Sequence, residues 1–118
     1  MPKKLVKKKL PAVFYVLASG REPVRDWLKA LDDDTRKVIG IDIMQVELRW
    51  PVGLPLCRPL GDGLWEVRST IPKGIARVIF CIHDGEMVLL HGFIKKTQKT
   101  PQDHLDLAIK RQKEVENG

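Results

Sequence analysis

From Leu64 to Ile94 the apolar positions fall in three short runs rich in β-branched and aromatic residues, Leu64 to Ser69, Ala76 to Ile82 and Met87 to Ile94. Pro72-Lys73-Gly74 and Asp84-Gly85 separate them. Runs of this composition and length predict strands, and the punctuation predicts two hairpins. An Asp-Gly pair supplies the positive φ angles of a two-residue primed turn, which in turn fixes the pairing register. With Asp84 and Gly85 as the loop, His83 faces Glu86, Phe80 faces Leu89, Val78 faces His91 and Arg77 faces Gly92. Across the preceding hairpin, keeping Trp65 with Phe80 and Val67 with Val78 sets Arg68 opposite Arg77. Side chains alternate faces along a strand, so stepping by twos from Gly92 adds Ile94 and Lys96 to the arginine face. Gly92 then leaves room beside Arg77. A three-residue loop at Asp84-Gly85 would reverse the last strand and substitute Lys95 for Lys96.

Upstream the period changes. Ala12 to Ala18 predicts a first strand, and Val13 to Leu17 is apolar on both faces, as in a strand covered on both sides or packed at a sheet edge under helices. Ser19-Gly20 ends it. Glu22-Pro23 opens a helix, since proline is tolerated in the first turn and an acid there complements the helix dipole. Val24, Trp27, Leu28 and Leu31 share one face at helical spacing. Asp32, Asp33 and Asp34 introduce a second helix, Thr35 to Arg49, with a broad apolar surface, and Pro51 stops it. So short a junction predicts an antiparallel helical hairpin lying on the sheet. Trp27, Trp50 and Trp65 read as core or core-edge residues. Pro51 to Gly63 holds three prolines and three glycines and reads as a loop, on which Arg58 is either a ligand contact or, the reading preferred, solvated. Thr100-Pro101-Gln102-Asp103 has the form of a capping box, so a last helix begins near Pro101. Leu105, Ala108, Ile109 and Gln112 give that helix a stripe to dock on the sheet and leave Lys110, Arg111 and Lys113 in water. The order is strand, helix, helix, three antiparallel strands, helix, an α+β fold with the helical hairpin on one face of an antiparallel sheet.

Length and composition narrow the class. At 118 residues and 43% hydrophobic, the chain suits one domain over its whole length, with residues 1–10 as a basic arm. Its apolar runs are strand-sized and its basic start lacks the apolar stretch of a signal peptide, so a cytoplasmic protein with no membrane partner is expected. Cys57 and Cys81 have neither CxxC spacing nor neighbouring histidines, which predicts two reduced thiols rather than a metal site. The formal net charge of +6 points to nucleic acid or an acidic protein as partner. Lys3, Lys4, Lys7, Lys8 and Lys9 form either a solvated tail or an arm that tracks phosphates non-specifically.

No glycine-rich phosphate loop, serine-histidine-aspartate spacing or carboxylate cluster suited to magnesium is evident in the sequence. What remains is a concentration of cations: Arg68 and Arg77 on adjacent strands, then Lys95, Lys96 and Lys99 where the sheet hands over to the last helix. Like charges directly opposite each other destabilise a sheet by up to ~1 kcal/mol, so facing arginines suggest an anion bound between them. Arginine's planar fork suits phosphate, and lysine adds a point charge. Among the histidines, His83 reads as exposed beside its turn, His91 as a hydrogen-bonded core residue, and His104, in the first turn of the last helix, as the proton-transfer candidate.

LWEVR, then GIARVIF, then MVLLHGFIKKTQKTP followed by a helix resembles the HigB-like, phage Gp49-like branch of the RelE/ParE toxin superfamily. The FxKKTxKTP segment is the most specific part of the likeness. The resemblance implies a RelE fold, a cognate antitoxin partner of HigA-like, helix-turn-helix type, and, for HigB and RelE members, cleavage of messenger RNA on the ribosome without a metal or other cofactor. By position, Arg68 matches the basic residue ending one strand, Arg77 the arginine in the next, and Lys95-Lys96 the basic pair closing the last. The family's RNA-contacting and catalytic residues lie at those positions. RelE-type toxins tend to present a tyrosine or histidine from the last helix, yet the only tyrosine here is Tyr15. Either His104 fills that role, or a lysine such as Lys99 does, or phosphate activation alone suffices.

The expectation is therefore an endoribonuclease toxin in which Arg77, Lys96 and His104 are catalytic and Arg68, Lys95 and Lys99 hold RNA. A ParE-like inhibitor of DNA gyrase and a non-enzymatic RNA-binding module of phage origin are the alternatives.

Overall fold

A computed structural model describes residues 7–118. The fold is α+β: β1 (Ala12–Phe14), α1 (Pro23–Ala30), α2 (Asp33–Arg49), β2 (Cys57–Gly61), β3 (Leu64–Ile71), β4 (Gly74–His83), β5 (Glu86–Lys95) and α3 (Gln102–Asn117). The five strands form one mixed sheet in the order β1-β5-β4-β3-β2. β1 runs parallel to β5, and every other neighbour pair is antiparallel.

Helix boundaries follow local chemistry. Pro23 occupies the first turn of α1, where its missing N–H costs nothing. The Asp32 carboxylate accepts from Thr35 N at 3.1 Å and caps α2, so that helix starts two residues before Thr35. The expected capping box at Thr100 does not form. Pro101 is the N-cap of α3 and makes no side-chain cap bond, because the Thr100 hydroxyl donates to Glu66 instead, at 2.8 Å.

The two faces of the sheet are covered differently. α1 and α2 pack on one face over Val67, Ala76, Val78, Phe80, Met87 and Leu89, with Ile39, Ile43 and Val46 of α2 opposite them. Trp50 meets Trp65 and Phe80 edge-on, with ring centroids 5.0 and 5.8 Å away. α3 covers the other face over Leu64, Ile79, Cys81, Val88, Leu90 and Phe93, through Leu105, Ala108 and Ile109. Cys57 and Cys81 are both buried free thiols belonging to opposite faces, and burial pushes each up to about 11.

Three further expectations need correction. The segment from Pro51 to Gly63 is not all loop, since Cys57–Gly61 pairs with β3 as an edge strand. An edge tolerates Pro59, whose missing N–H does not break an interior ladder. β1 ends at Phe14 rather than Ala18, because Leu17 N turns back to Arg21 O and leaves Val16 exposed.

The third concerns register. β3 and β4 pair as expected, Trp65 with Phe80, Val67 with Val78 and Arg68 with Arg77. The Asp84-Gly85 turn has both φ angles positive, and His83 faces Glu86 and Phe80 faces Leu89. Beyond that point Leu90 is skipped by a bulge, so Ile79 faces His91, Val78 faces Gly92 and Arg77 faces Phe93. A bulge shifts every later residue to the other face. Gly92 therefore joins the hairpin face, where an added Cβ would lie 2.4 Å from the Trp27 ring. Its role is to seat Trp27, not to leave space beside Arg77. Lys95, opposite Ile75, takes the place on the arginine face expected for Lys96.

At the N-terminus, Lys9 N and Leu10 N donate to Glu47 O, and the buried Glu47 carboxylate accepts from Ala12 N at 2.8 Å and pairs with Lys8 Nζ at 3.0 Å. Lys8 to Ala12 are thus latched to the end of α2. Lys3 and Lys4 lie outside the described residues.

Candidate functional site

On the α3 face the central strands carry polar residues beside the apolar patch that α3 covers. Arg58 on β2 faces Glu66 on β3, and Arg68, two residues on, faces Arg77 on β4. Strands are about 5 Å apart, so these four side chains form one row across three strands. Arg77 and Glu66 are completely buried. Glu66 accepts from Arg68 Nη1 at 2.7 Å and from the Thr100 hydroxyl at 2.8 Å. Glu66 thus gives Arg68 an internal carboxylate partner, while Arg77 feels its charge without a hydrogen bond to it. The signal for the Glu66–Arg68 pair was legible in LWEVR, where the two share a face by the period of two.

The connector from Lys96 to Thr100 lies across this row. Its carbonyls and one amide meet all three arginines. Gln98 O accepts from Arg58 Nη1 at 3.2 Å and Arg68 Nη1 at 3.3 Å, Gln98 Oε1 accepts from Arg68 Nη2 at 3.0 Å, and Lys99 O accepts from Arg77 Nη1 at 3.3 Å. Arg77 Nε and Nη2 have no acceptor among the described residues. Burial pulls the Arg77 pKa below its ordinary value, Glu66 pushes it back up, and Arg68 and Arg58 lower it further. A fully buried guanidinium with unspent donors is costly to fold around unless something else uses them.

Beside Arg77 lies an aromatic stack. The Arg77 guanidinium carbon is 5.6 Å from the Phe93 ring centroid, and the His104 ring lies on Phe93 at 3.9 Å with planes 6° apart. His104 Nδ1 is 2.7 Å from His91 Nε2, so the two rings share one proton between them. Both are half-buried. Burial, then the neighbouring His104 and Arg111, pull His91 down to about 4, with Asp103 opposing. His91 is therefore neutral at neutral pH, and its ring nitrogen is committed to His104.

The structure thus brings Arg68, Arg77 and His104 together. Lys95, Lys96 and Lys99 are exposed along the connector and its approach. Lys99 contributes its carbonyl to Arg77, and the Lys96 stem lies by Gly74 at the far end of β4. Tyr15 sits elsewhere, buried in the core under α3 just past β1, with its hydroxyl on Glu114 near the end of α3. Arg111, expected in water, donates to Leu90 O at 2.7 Å and lies over the Tyr15 ring. Glu66, Thr100 and His91 are site members that sequence reasoning did not assign, and Arg58 is one that it preferred to leave in solvent. Arg58 was hidden by the proline-rich run around it, and the His91–His104 contact joins elements whose approach has no local signal.

A family model for phage-derived Gp49-like proteins (DUF891) matches residues 26–113. The chain belongs to this family. It is a RelE/HigB-like toxin family. The match runs from α1 through most of α3 and so includes the whole arginine row and the histidine pair. Comparison with curated proteins finds no match. Among the described residues no helix is long and apolar enough to cross a membrane, and no three His, Cys, Asp or Glu side chains converge as metal ligands.

Proposed function

We propose that this Gp49-like protein is the toxin of a toxin-antitoxin pair and a ribosome-dependent endoribonuclease that cuts messenger RNA. The observation that carries the proposal is Arg77, buried on a central strand with two donor nitrogens unspent. Such a group binds weakly to a ground state already served by the Lys99 carbonyl and more strongly to a phosphate gaining charge. In the proposed reaction the 2′-hydroxyl beside the cut attacks the phosphorus and loses its proton to a base. The P–O5′ bond breaks, leaving a 2′,3′-cyclic phosphate, and the 5′ oxygen takes up a proton.

Arg77 stabilises the pentacoordinate phosphate, aided by the point charges of Lys95 at the end of β5 and Lys96 on the connector. Arg68 and Lys99 hold the flanking backbone. His104 transfers protons through Nε2, the nitrogen not engaged with His91. With the shared proton on its Nδ1, Nε2 is a base that takes the 2′-hydroxyl proton, and the imidazolium so formed returns it to the 5′ oxygen. No step in this scheme uses a metal or organic cofactor. RNA enters by displacing the Gln98 and Lys99 carbonyls from the arginines, a phosphate oxygen being the stronger acceptor.

The partner we propose is a HigA-like, helix-turn-helix antitoxin that covers this basic row with an acidic or apolar segment, and the working place is the cytoplasm. Primer extension on messenger RNA from cells expressing the chain tests the activity. Codon-phased cuts are expected. Intact messenger RNA with blocked gyrase supercoiling would replace this reading with a ParE-like one, and RNA bound but uncut would leave a binding module.

A further inference from the structure

Next to the arginine row, on its β2 side, a cleft of about 420 Å³ is lined by Leu54, Pro55, Arg58, Arg68 and Gln98. Two guanidinium groups converge there on the single Gln98 carbonyl. Their electrostatic situations differ. Arg68 is paired with buried Glu66 at 2.7 Å, whereas Arg58 has no carboxylate within salt-bridge distance among the described residues. With Arg77 included, three cations surround one carboxylate, so the row keeps an uncompensated positive charge facing the cleft. Arg58 spends only one of its five donors on the described protein atoms.

We propose that this cleft is a second RNA subsite, holding the phosphodiester next to the one that is cut, with Arg58 as its principal ligand. The substrate class rests on the RNA-cleaving reading above; the site itself rests on its own geometry. Two forks aimed at one point suit a tetrahedral phosphate, whose non-bridging oxygens can accept from both, better than a planar carboxylate, which a single fork saturates. The wall opposite the arginines is apolar. Leu54 is 65% exposed at its lip, beside Pro55, a surface against which a ribose and an unstacked base can rest. Arg58 stands two strands from Arg77 and two residues along on the same face, so an extended single strand crossing the sheet obliquely meets both in succession. The Gln98 carbonyl occupies the phosphate position until RNA displaces it.

The test is binding of a short 2′-O-methylated single-stranded oligonucleotide, which cannot undergo attack by its own 2′ oxygen, so affinity is read independently of cleavage. Arg58→Ala should weaken binding about tenfold and lower the slope of log affinity against log salt by about 0.7, the loss of one phosphate contact on a single strand. Arg58→Lys should restore the slope and only part of the affinity. Lys37→Ala, an equal charge change at an exposed position on α2, is the control and should leave both unchanged. Thermal melting confirms that each variant is folded. Unaltered affinity and slope in Arg58→Ala would overturn the proposal. So would a hexaglutamate peptide whose binding depends on Arg58 while oligonucleotide binding does not, which would assign the cleft to an acidic protein partner. If the wild-type chain cuts no RNA at all, the cleavage reading fails while this measurement still decides the subsite.

Discussion

The two faces of the central strands are built from alternate residues of the same sequence, yet they do opposite things. Val67, Ala76, Val78, Phe80 and Leu89 point to the helical hairpin and form an apolar core, tight enough that Gly92 is needed to admit Trp27. One residue away in each strand, Glu66, Arg68, Arg77 and His91 point to the α3 side. There charge is buried without full satisfaction of its donors. Burying ions rarely adds stability over apolar residues of the same size. The hairpin face therefore supplies the surplus that lets the α3 face keep buried charge.

The largest expected effects test whether the buried anion matters as much as the apolar core. Phe80→Ala should cost about 3–5 kcal/mol by leaving a cavity. Glu66→Ala should cost a similar ~3–5 kcal/mol by stranding buried cations. Chemical denaturation reads both, and a Glu66→Ala loss under about 1 kcal/mol would mean that solvent already screens the arginines. Next, Arg77→Met, which fills the space with an uncharged chain, should melt at or above the wild-type temperature yet lower single-turnover cleavage on programmed ribosomes by about a hundredfold or more. Arg77→Lys should recover part of that rate. Cleavage at the wild-type rate in Arg77→Met would remove this residue from the site.

A somewhat smaller effect is expected from pH. His91 binds its proton less readily folded, with a pKa of about 4, than unfolded, where it is about 6.5. Below 6.5 the unfolded chain therefore holds more protons, and stability falls as pH drops toward 4, by about 2–3 kcal/mol at most. The groups around it, His104 and Arg111 on α3 against a single Asp103, add to the cost of charging it. Denaturation midpoints across that window should slope in the wild type and flatten in His91→Phe; equal slopes would place the titration elsewhere. The smallest effect separates the faces directly. Gly92→Ala should destabilise by about 1–3 kcal/mol through the clash with Trp27 and leave cleavage by the folded protein nearly unchanged. Loss of cleavage at full stability would place Gly92 beside Arg77 after all.

Much of this was determined locally. The Asp84-Gly85 turn demands positive φ angles, and with it come the pairing of Phe80 with Leu89 and the end of β5 nearest that turn. Alternating apolar positions brought Arg68 opposite Arg77 because a one-residue slip would have turned Val67 and Val78 away from the core. The helical hairpin and the beginning of α3 near Pro101 likewise follow from prolines, acids and a period of 3.6. Tertiary packing decided the rest. The bulge at Leu90 has no sequence mark of its own; it lets Leu90 and His91 both reach α3 while Gly92 turns toward Trp27, and those partners come from distant parts of the chain. Pro59 reads as a loop residue until β3 offers an edge whose ladder does not need its N–H. Thr100 could cap α3 or bond Glu66, and the buried carboxylate won because leaving it with one fewer donor inside the protein costs more than a frayed helix end open to water.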